Sequence, residues 1–188
     1  MESYNPVTGE LVAWVRLPSL DNDTDTPIYI YYGNAAISSS QEDITGTWSS
    51  NYKGVWHLSE DPSGASPQML DSTSNNNDGV SGGGTADDQV DGPINGGLDI
   101  DTGDYVDGQN AGTNFPFGSS ARTISVWIDV GNVTQDTGLF HYGDDGGSPA
   151  AANYHLGITS SGVIFLGNGW GHGTIAGSDL VDDDNPYH

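Results

Sequence analysis

The chain has no cysteine, and only three of its 188 residues are basic: Arg16, Lys53 and Arg122. Without cysteine no disulfide can staple the fold, and compartment cannot be read from bridges. Three cations against 26 acidic residues leave a net charge of -23. Binding a phosphate backbone needs Lys and Arg, so a nucleic-acid partner is excluded. Anionic membrane surfaces and anionic glycans are disfavoured for the same reason. No apolar run approaches the ~18 residues that a membrane helix needs, so membrane insertion is not expected. Met1 is not followed by a basic start and an apolar run, so no signal peptide is expected in this sequence. Amphipathic helical periodicity is also missing.

What remains is a glycine-rich, aromatic, acidic chain. It has 28 Gly, five Trp, nine Tyr and four Phe, with 34% apolar residues. Aromatic side chains carry enough apolar area to build a core from that modest total. The apolar residues fall in short alternating runs, the pattern of strands with one buried face. Ile124, Val126, Ile128 and Val130 share one face of Arg122–Val130; Thr123, Ser125, Trp127 and Asp129 share the other. Leu98, Ile100, Tyr105 and Val106 are the apolar members of a second run, broken at Thr102-Gly103-Asp104. Further strands are expected at Leu11–Leu17, Ile28–Tyr32, Gly54–Leu58, near Gly79–Ser81, and at Gly138–Tyr142, Tyr154–Thr159 and Val163–Leu166. Ser160-Ser161-Gly162 makes a tight turn between the last two. The chain is therefore expected to be all-β. A hairpin of the first two runs buries too little area to stand alone and needs a partner.

Four segments in order resemble the LamG-like jelly roll, the concanavalin A-like lectin/glucanase superfold. They are Gly54-Val-Trp-His-Leu58, Asp71-Ser-Thr-Ser-Asn-Asn-Asn-Asp-Gly79, Gly97-Leu-Asp-Ile-Asp101 with Gly103-Asp-Tyr-Val106, and Thr123-Ile-Ser-Val-Trp-Ile128. The front of the chain is similar to the end of a β-sandwich domain of unknown function common in secreted bacterial and archaeal proteins. Trp14-Val-Arg-Leu-Pro18 and Ile28-Tyr-Ile-Tyr-Tyr-Gly-Asn34 carry that likeness. The resemblance implies residues 1–37 as the end of one β-sandwich domain, 38–51 as a linker or short helical turn, and 52–188 as a jelly roll. It also implies that the jelly roll is incomplete at its C-terminal end, because the family's later strands would follow Asp182–His188. A sandwich short of strands exposes unpaired backbone. It belongs to a longer protein or is completed by strand exchange with a neighbouring chain. An extracellular or cell-surface location follows from the resemblance alone.

Dense Asp makes Ca²⁺ the natural metal partner. Asp71, Asn76 and Asp78 offer hard oxygen ligands on one loop, and Asp104 adds a carboxylate if the two segments meet. The spacing is not that of an EF-hand. Asx turns, in which Asn and Asp bond their own backbone, are the structural alternative. Glycoside hydrolysis needs paired carboxylates across a cleft. Glu2, Glu10, Glu42 and Glu60 all lie outside the candidate jelly-roll strands, so no catalytic residues are expected. No two histidines lie close enough in sequence to form a local zinc motif, and no Gly-x-Ser-x-Gly elbow is present. Trp170 sits in Gly167-Asn-Gly-Trp-Gly-His-Gly173, where glycines leave its ring uncovered, with Asn168 and Tyr142 as flanking ligand contacts. A Trp paired with polar neighbours suits a sugar face. Non-catalytic binding of a glycan or surface polymer, as a carbohydrate-binding or adhesion module, is the expected function. The alternatives are a structural subunit or spacer of a surface appendage, and an accessory region of a polysaccharide-degrading enzyme.

Overall fold

The computed structural model describes residues 1–108, 115–116, 120–131, 133–143 and 154–167, and the backbone of 175–180 and 186–187. Every regular element is a short antiparallel strand except one helical turn and one 3₁₀ turn, so the chain is all-β. It divides into two compact units, Met1–Gln109 and Asn110–His188. That division differs from the boundaries at 37 and 51 expected above.

In the first unit, β1 (Ser3–Tyr4) pairs with β2 (Leu11–Val12) around Gly9, whose φ of 76° supplies the left-handed turn conformation. The helical turn α1 (Ile44–Thr47) follows, its Asp43 cap accepting from the Gly46 N–H at 3.0 Å. Then β3 (Gly79–Gly82) pairs with β6 (Tyr105–Gly108), and β4 (Gln89–Val90) with β5 (Gly97–Leu98). Met69, fully buried, exchanges two backbone hydrogen bonds with Gly79 at 3.0 and 2.7 Å. Thus the short strand foreseen near Gly79 is present.

Two expectations here need correction. Ile28–Tyr32 forms no ladder, and its side chains lie open, Tyr31 and Tyr32 at 93% exposure. The alternation is present, but nothing in this unit lies across from it to accept its backbone. Ile100, Tyr105 and Val106 are also exposed rather than lining a buried face. The β3–β6 pair is a two-stranded ribbon, too small to bury both of its faces.

The second unit holds a four-stranded antiparallel sheet in the order β11-β10-β9-β8. Its strands are β8 (Thr137–Tyr142), β9 (Tyr154–Ile158), β10 (Val163–Gly167) and β11 (Ile175–Leu180). A separate pair joins β7 (Ile128–Asp129) to β12 (Pro186–Tyr187). Gly162, at φ 75°, closes the β9–β10 turn, with Thr159 and Val163 bonded across it. The alternation of Arg122–Val130 is visible in burial, even-numbered residues being half-buried and odd-numbered ones exposed, although only Ile128 and Asp129 are in a ladder. Trp127, on the odd face, is 47% exposed.

The core of this unit contains Phe115, Tyr142, Ile158 and Phe165. Gly157 lets β8 and β10 flank β9 closely: a Cβ there would meet the Thr137 carbonyl oxygen and the Phe165 ring, both at 2.7 Å. Neither backbone nor a packed ring yields cheaply. Gly157→Ala is expected to destabilise the protein by about 1–3 kcal/mol, read as a lower denaturant midpoint with an unchanged m-value. A midpoint within error of wild type would contradict this packing.

Candidate functional site

An open aromatic groove in the first unit

The first unit contains an open groove of about 400 Å³, within the range of small-ligand sites. Trp14, Arg16 and Leu17 from the segment after β2 form one wall. Trp48, Ser49 and Tyr52 from the chain after α1 form the other. A cavity of about 260 Å³ adjoins it and shares Trp14, Arg16 and Thr47.

The rings brace one another. Trp48 lies 5.2 Å from Trp14 and 5.1 Å from Tyr52, between centroids, with tilted and edge-on geometries. These are favourable aromatic arrangements. Behind them His57 stands 6.2 Å from Trp14 and 6.1 Å from Trp48, its Nδ1 2.9 Å from a Glu2 carboxylate oxygen. Arg16 donates to the Gly46 carbonyl at 2.9 Å, which ties the first wall to α1. Trp14 and Tyr52 remain 42% and 49% exposed. They are braced from behind and open in front. No acidic residue lines the larger cavity, in a chain with 26 of them. The result is an apolar, aromatic surface edged by hydroxyl, guanidinium and backbone groups. Such a surface can bind a ligand, and Glu42 and Asp43 line the adjoining cavity.

The reasoning from sequence used Trp14 only for its place in a motif and did not single out Trp48 or Tyr52. Trp48 is extended at the end of α1, and the Ser49–Tyr52 turn, closed by the Tyr52 N–H on the Ser49 carbonyl at 3.0 Å, brings the Tyr52 ring back to it. What the sequence did not reveal is that Trp14, 34 positions away, closes on them.

The Asp71–Asp78 loop and the sheet end

Asp71 and Asp78 come together, but their oxygens are occupied by the chain itself. One Asp71 oxygen accepts the N–H groups of Val55 and Thr73, each at 2.9 Å. The other accepts the Thr73 hydroxyl at 2.8 Å and the Asn77 N–H at 2.9 Å. Asp78 accepts the Asp71 N–H at 2.8 Å. Asn76 adopts a left-handed φ of 53° at the turn, a conformation that Asn tolerates. Asp104 closes its own turn with Asp101. It follows Gly103 beyond the Gly82 end of β3–β6, about 16 Å of strand from Asp78. The four expected metal ligands therefore do not converge. Among the described residues no group of three or more His, Asp or Glu could hold a metal. The Asx-turn reading is the one that the loop adopts.

Trp170 and Asn168 lie outside the described residues. Tyr142 pairs with Tyr154, His141 with His155, His155 with Gly167, and Leu166 with Ile175. Tyr142, expected as a ligand contact flanking Trp170, is 7% exposed. Its ring packs on Phe115 at 5.0 Å and stacks with Tyr154 at 5.5 Å. Its hydroxyl donates to the Pro116 carbonyl at 3.0 Å and accepts from Arg122. Arg122 also donates to the carbonyls of Pro116 at 2.9 Å and Ser120 at 2.7 and 3.0 Å. Its guanidinium lies 3.4 Å from the Tyr154 ring centroid, a cation–π contact. Burial raises the Tyr142 phenol above its ordinary value, and the Arg122 hydrogen bond and charge offset this in part.

Residues 1–56 match the family described as a domain of unknown function, DUF2341. The match covers the front segment whose likeness rested on Trp14–Pro18 and Ile28–Asn34, and it takes in Trp14, Trp48 and Tyr52. The LamG-like likeness of the remainder finds no family match. No curated protein and no solved structure matches the chain.

Three predictions follow the geometry of these sites. Asp71→Asn places a donor among N–H groups that need an acceptor, and should cost about 2–3 kcal/mol of stability. The wild-type melting temperature should be the same with and without a chelator; a drop of several degrees would place a bound cation in the fold. For Tyr142, a phenol raised in the folded state keeps its proton longer there than in the unfolded chain. Its contribution is therefore intact below about pH 10 and fades as pH rises through the folded-state value. Tyr142→Phe should flatten the alkaline limb of stability against pH; an unchanged limb would refute the assignment.

Proposed function

We propose that the chain is a non-catalytic carbohydrate-binding or adhesion module of an extracellular or cell-surface protein. The observation that carries this reading is the Trp14–Trp48–Tyr52 groove. Pyranose rings present C–H faces that pack on aromatic side chains, while their hydroxyls bond to polar groups at the rim. The groove offers half-exposed rings, Ser49 and Arg16 at the edge, and no lining carboxylate in its larger cavity. The net charge of -23 favours a neutral glycan over an anionic one, because a like-charged polymer is repelled at long range. The Gly167–Gly173 connection with Trp170 and Asn168 is a second aromatic position of similar chemistry, in the other unit.

Support for an extracellular setting comes from the acidic composition and from the resemblance of both segments to domains of secreted proteins. A structural role as a subunit or spacer in a surface appendage is favoured by a different observation, the open Ile28–Tyr32 segment.

A glycan array probed with the purified chain, followed by titration calorimetry on any hit, tests the proposal. Trp14→Ala should weaken binding at least tenfold, about 1.4 kcal/mol, with unchanged circular dichroism. If Trp170→Ala abolishes binding while Trp14→Ala leaves it intact, the groove is not the site. Silence across a broad array of neutral and charged glycans would refute carbohydrate binding altogether.

A further inference from the structure

Charge and burial are divided unequally between the two units. Eighteen of the 26 acidic residues and two of the three basic ones fall in Met1–Gln109, a net charge of -16. Arg16 and Lys53 are both spent on backbone carbonyls, those of Gly46 and Ser50. No ion pair among the described residues uses either of them. Against that repulsion the unit buries little. Pro62 and Met69 are its buried apolar side chains among the described residues, and its other buried side chains are those of Asp71, Thr73 and Asn77. Its strands are two to four residues long. The second unit has eight acidic residues, holds a four-stranded sheet and buries Phe115, Tyr142, Ile158 and Phe165. Apolar burial drives folding, and net charge far from zero opposes the compact state.

We propose that the first unit is a salt-dependent fold. Met1–Gln109, with the Trp14–Trp48–Tyr52 groove that it carries, assembles only where ionic strength screens its own acidic residues. The second unit stays folded without that help. The proposal concerns whether the groove is present and not what it binds, so it stands or falls apart from the glycan reading.

Length scales set the range. A unit of about 100 residues has a radius of gyration of about 13 Å. The Debye length is about 30 Å at 0.01 M salt and about 3 Å at 1 M. In dilute salt each carboxylate therefore feels every other one across the unit. In concentrated salt it feels only its nearest neighbours. The unfolded chain holds the same acids farther apart, so dilute salt favours it.

Native-state hydrogen exchange of the full chain in 0.01 M and 1 M NaCl tests this. The Val55, Thr73 and Asn77 amides all bond to Asp71 and report on the first unit. The β9–β10 ladder amides report on the second. Lowering the salt should cut protection of the first set at least about a hundredfold and change the second by less than about tenfold. Glu10, Asp23, Asp25, Asp87, Asp91 and Asp99 are exposed, and their carboxylates accept no hydrogen bond among the described residues. Glu10→Gln combined with Asp→Asn at the other five positions brings the unit to a net charge of -10. That variant should keep its first-unit protection at 0.01 M NaCl. A salt effect acting through apolar or peptide surface would be left unchanged by the six substitutions, and that result would overturn the proposal. Equal first-unit protection in both salts, no protection at 1 M, or loss of both units together at 0.01 M would also overturn it.

Discussion

The first unit depends on one carboxylate. Asp71 accepts four hydrogen bonds, from Val55, Thr73 twice, and Asn77, so a single buried carboxylate satisfies donors from its own loop and from the stretch around Val55. The same knot holds Asn77, whose amide donates to the Lys53 carbonyl at 2.6 Å and whose carbonyl accepts the Trp56 indole N–H at 2.8 Å. Asn75 reaches the Tyr52 carbonyl at 3.0 Å. Tyr52, Lys53, Val55 and Trp56 are thereby fixed against a loop that has almost no regular structure of its own. A side-chain network can do the work of a sheet where strands are two residues long, because every buried donor still finds an acceptor.

That network also sets the groove. Tyr52 is held by its backbone from behind, so its ring is left to face Trp48. His57, one residue past Trp56, backs both tryptophans while contacting Glu2. Residues from the start of the chain are drawn onto the segment around α1 by Glu2, Trp14 and Arg16. The contacts of Glu2 and Trp14 run straight across residues 37 to 52.

What could be read in advance followed from local rules. The strands at Gly138–Tyr142, Tyr154–Thr159 and Val163–Leu166 and the turn at Gly162 are hairpin neighbours, specified by alternation and turn chemistry within a few residues. Gly79–Gly82 was legible for the same reason. Other features depended on residues far apart. Ile28–Tyr32 has the alternation of a strand, yet periodicity says only that a face wants cover and not that cover exists. The Asp71–Asp78 loop was ambiguous, because a carboxylate that could bind a cation and one that closes an Asx turn have the same composition. Only the positions of Val55 and Asn77 N–H groups decide between them. The burial of Tyr142 comes from Phe115, Arg122 and Tyr154 rather than from its own strand.

The use of positive charge ties these parts together. All three basic side chains donate to backbone carbonyls: Arg16 to Gly46, Lys53 to Ser50, and Arg122 to Pro116 and Ser120. Lys53 and Arg122 tie down stretches without regular structure, and Arg16 ties to a carbonyl of the helical turn α1. With so few cations placed this way, the net charge of -23 is left largely uncompensated. An acidic shell of that size keeps copies apart and turns away anionic polymers at distances set by salt. Among the described residues, the Trp14–Trp48–Tyr52 groove is a surface without acidic lining where contact with a neutral partner is not opposed by that charge.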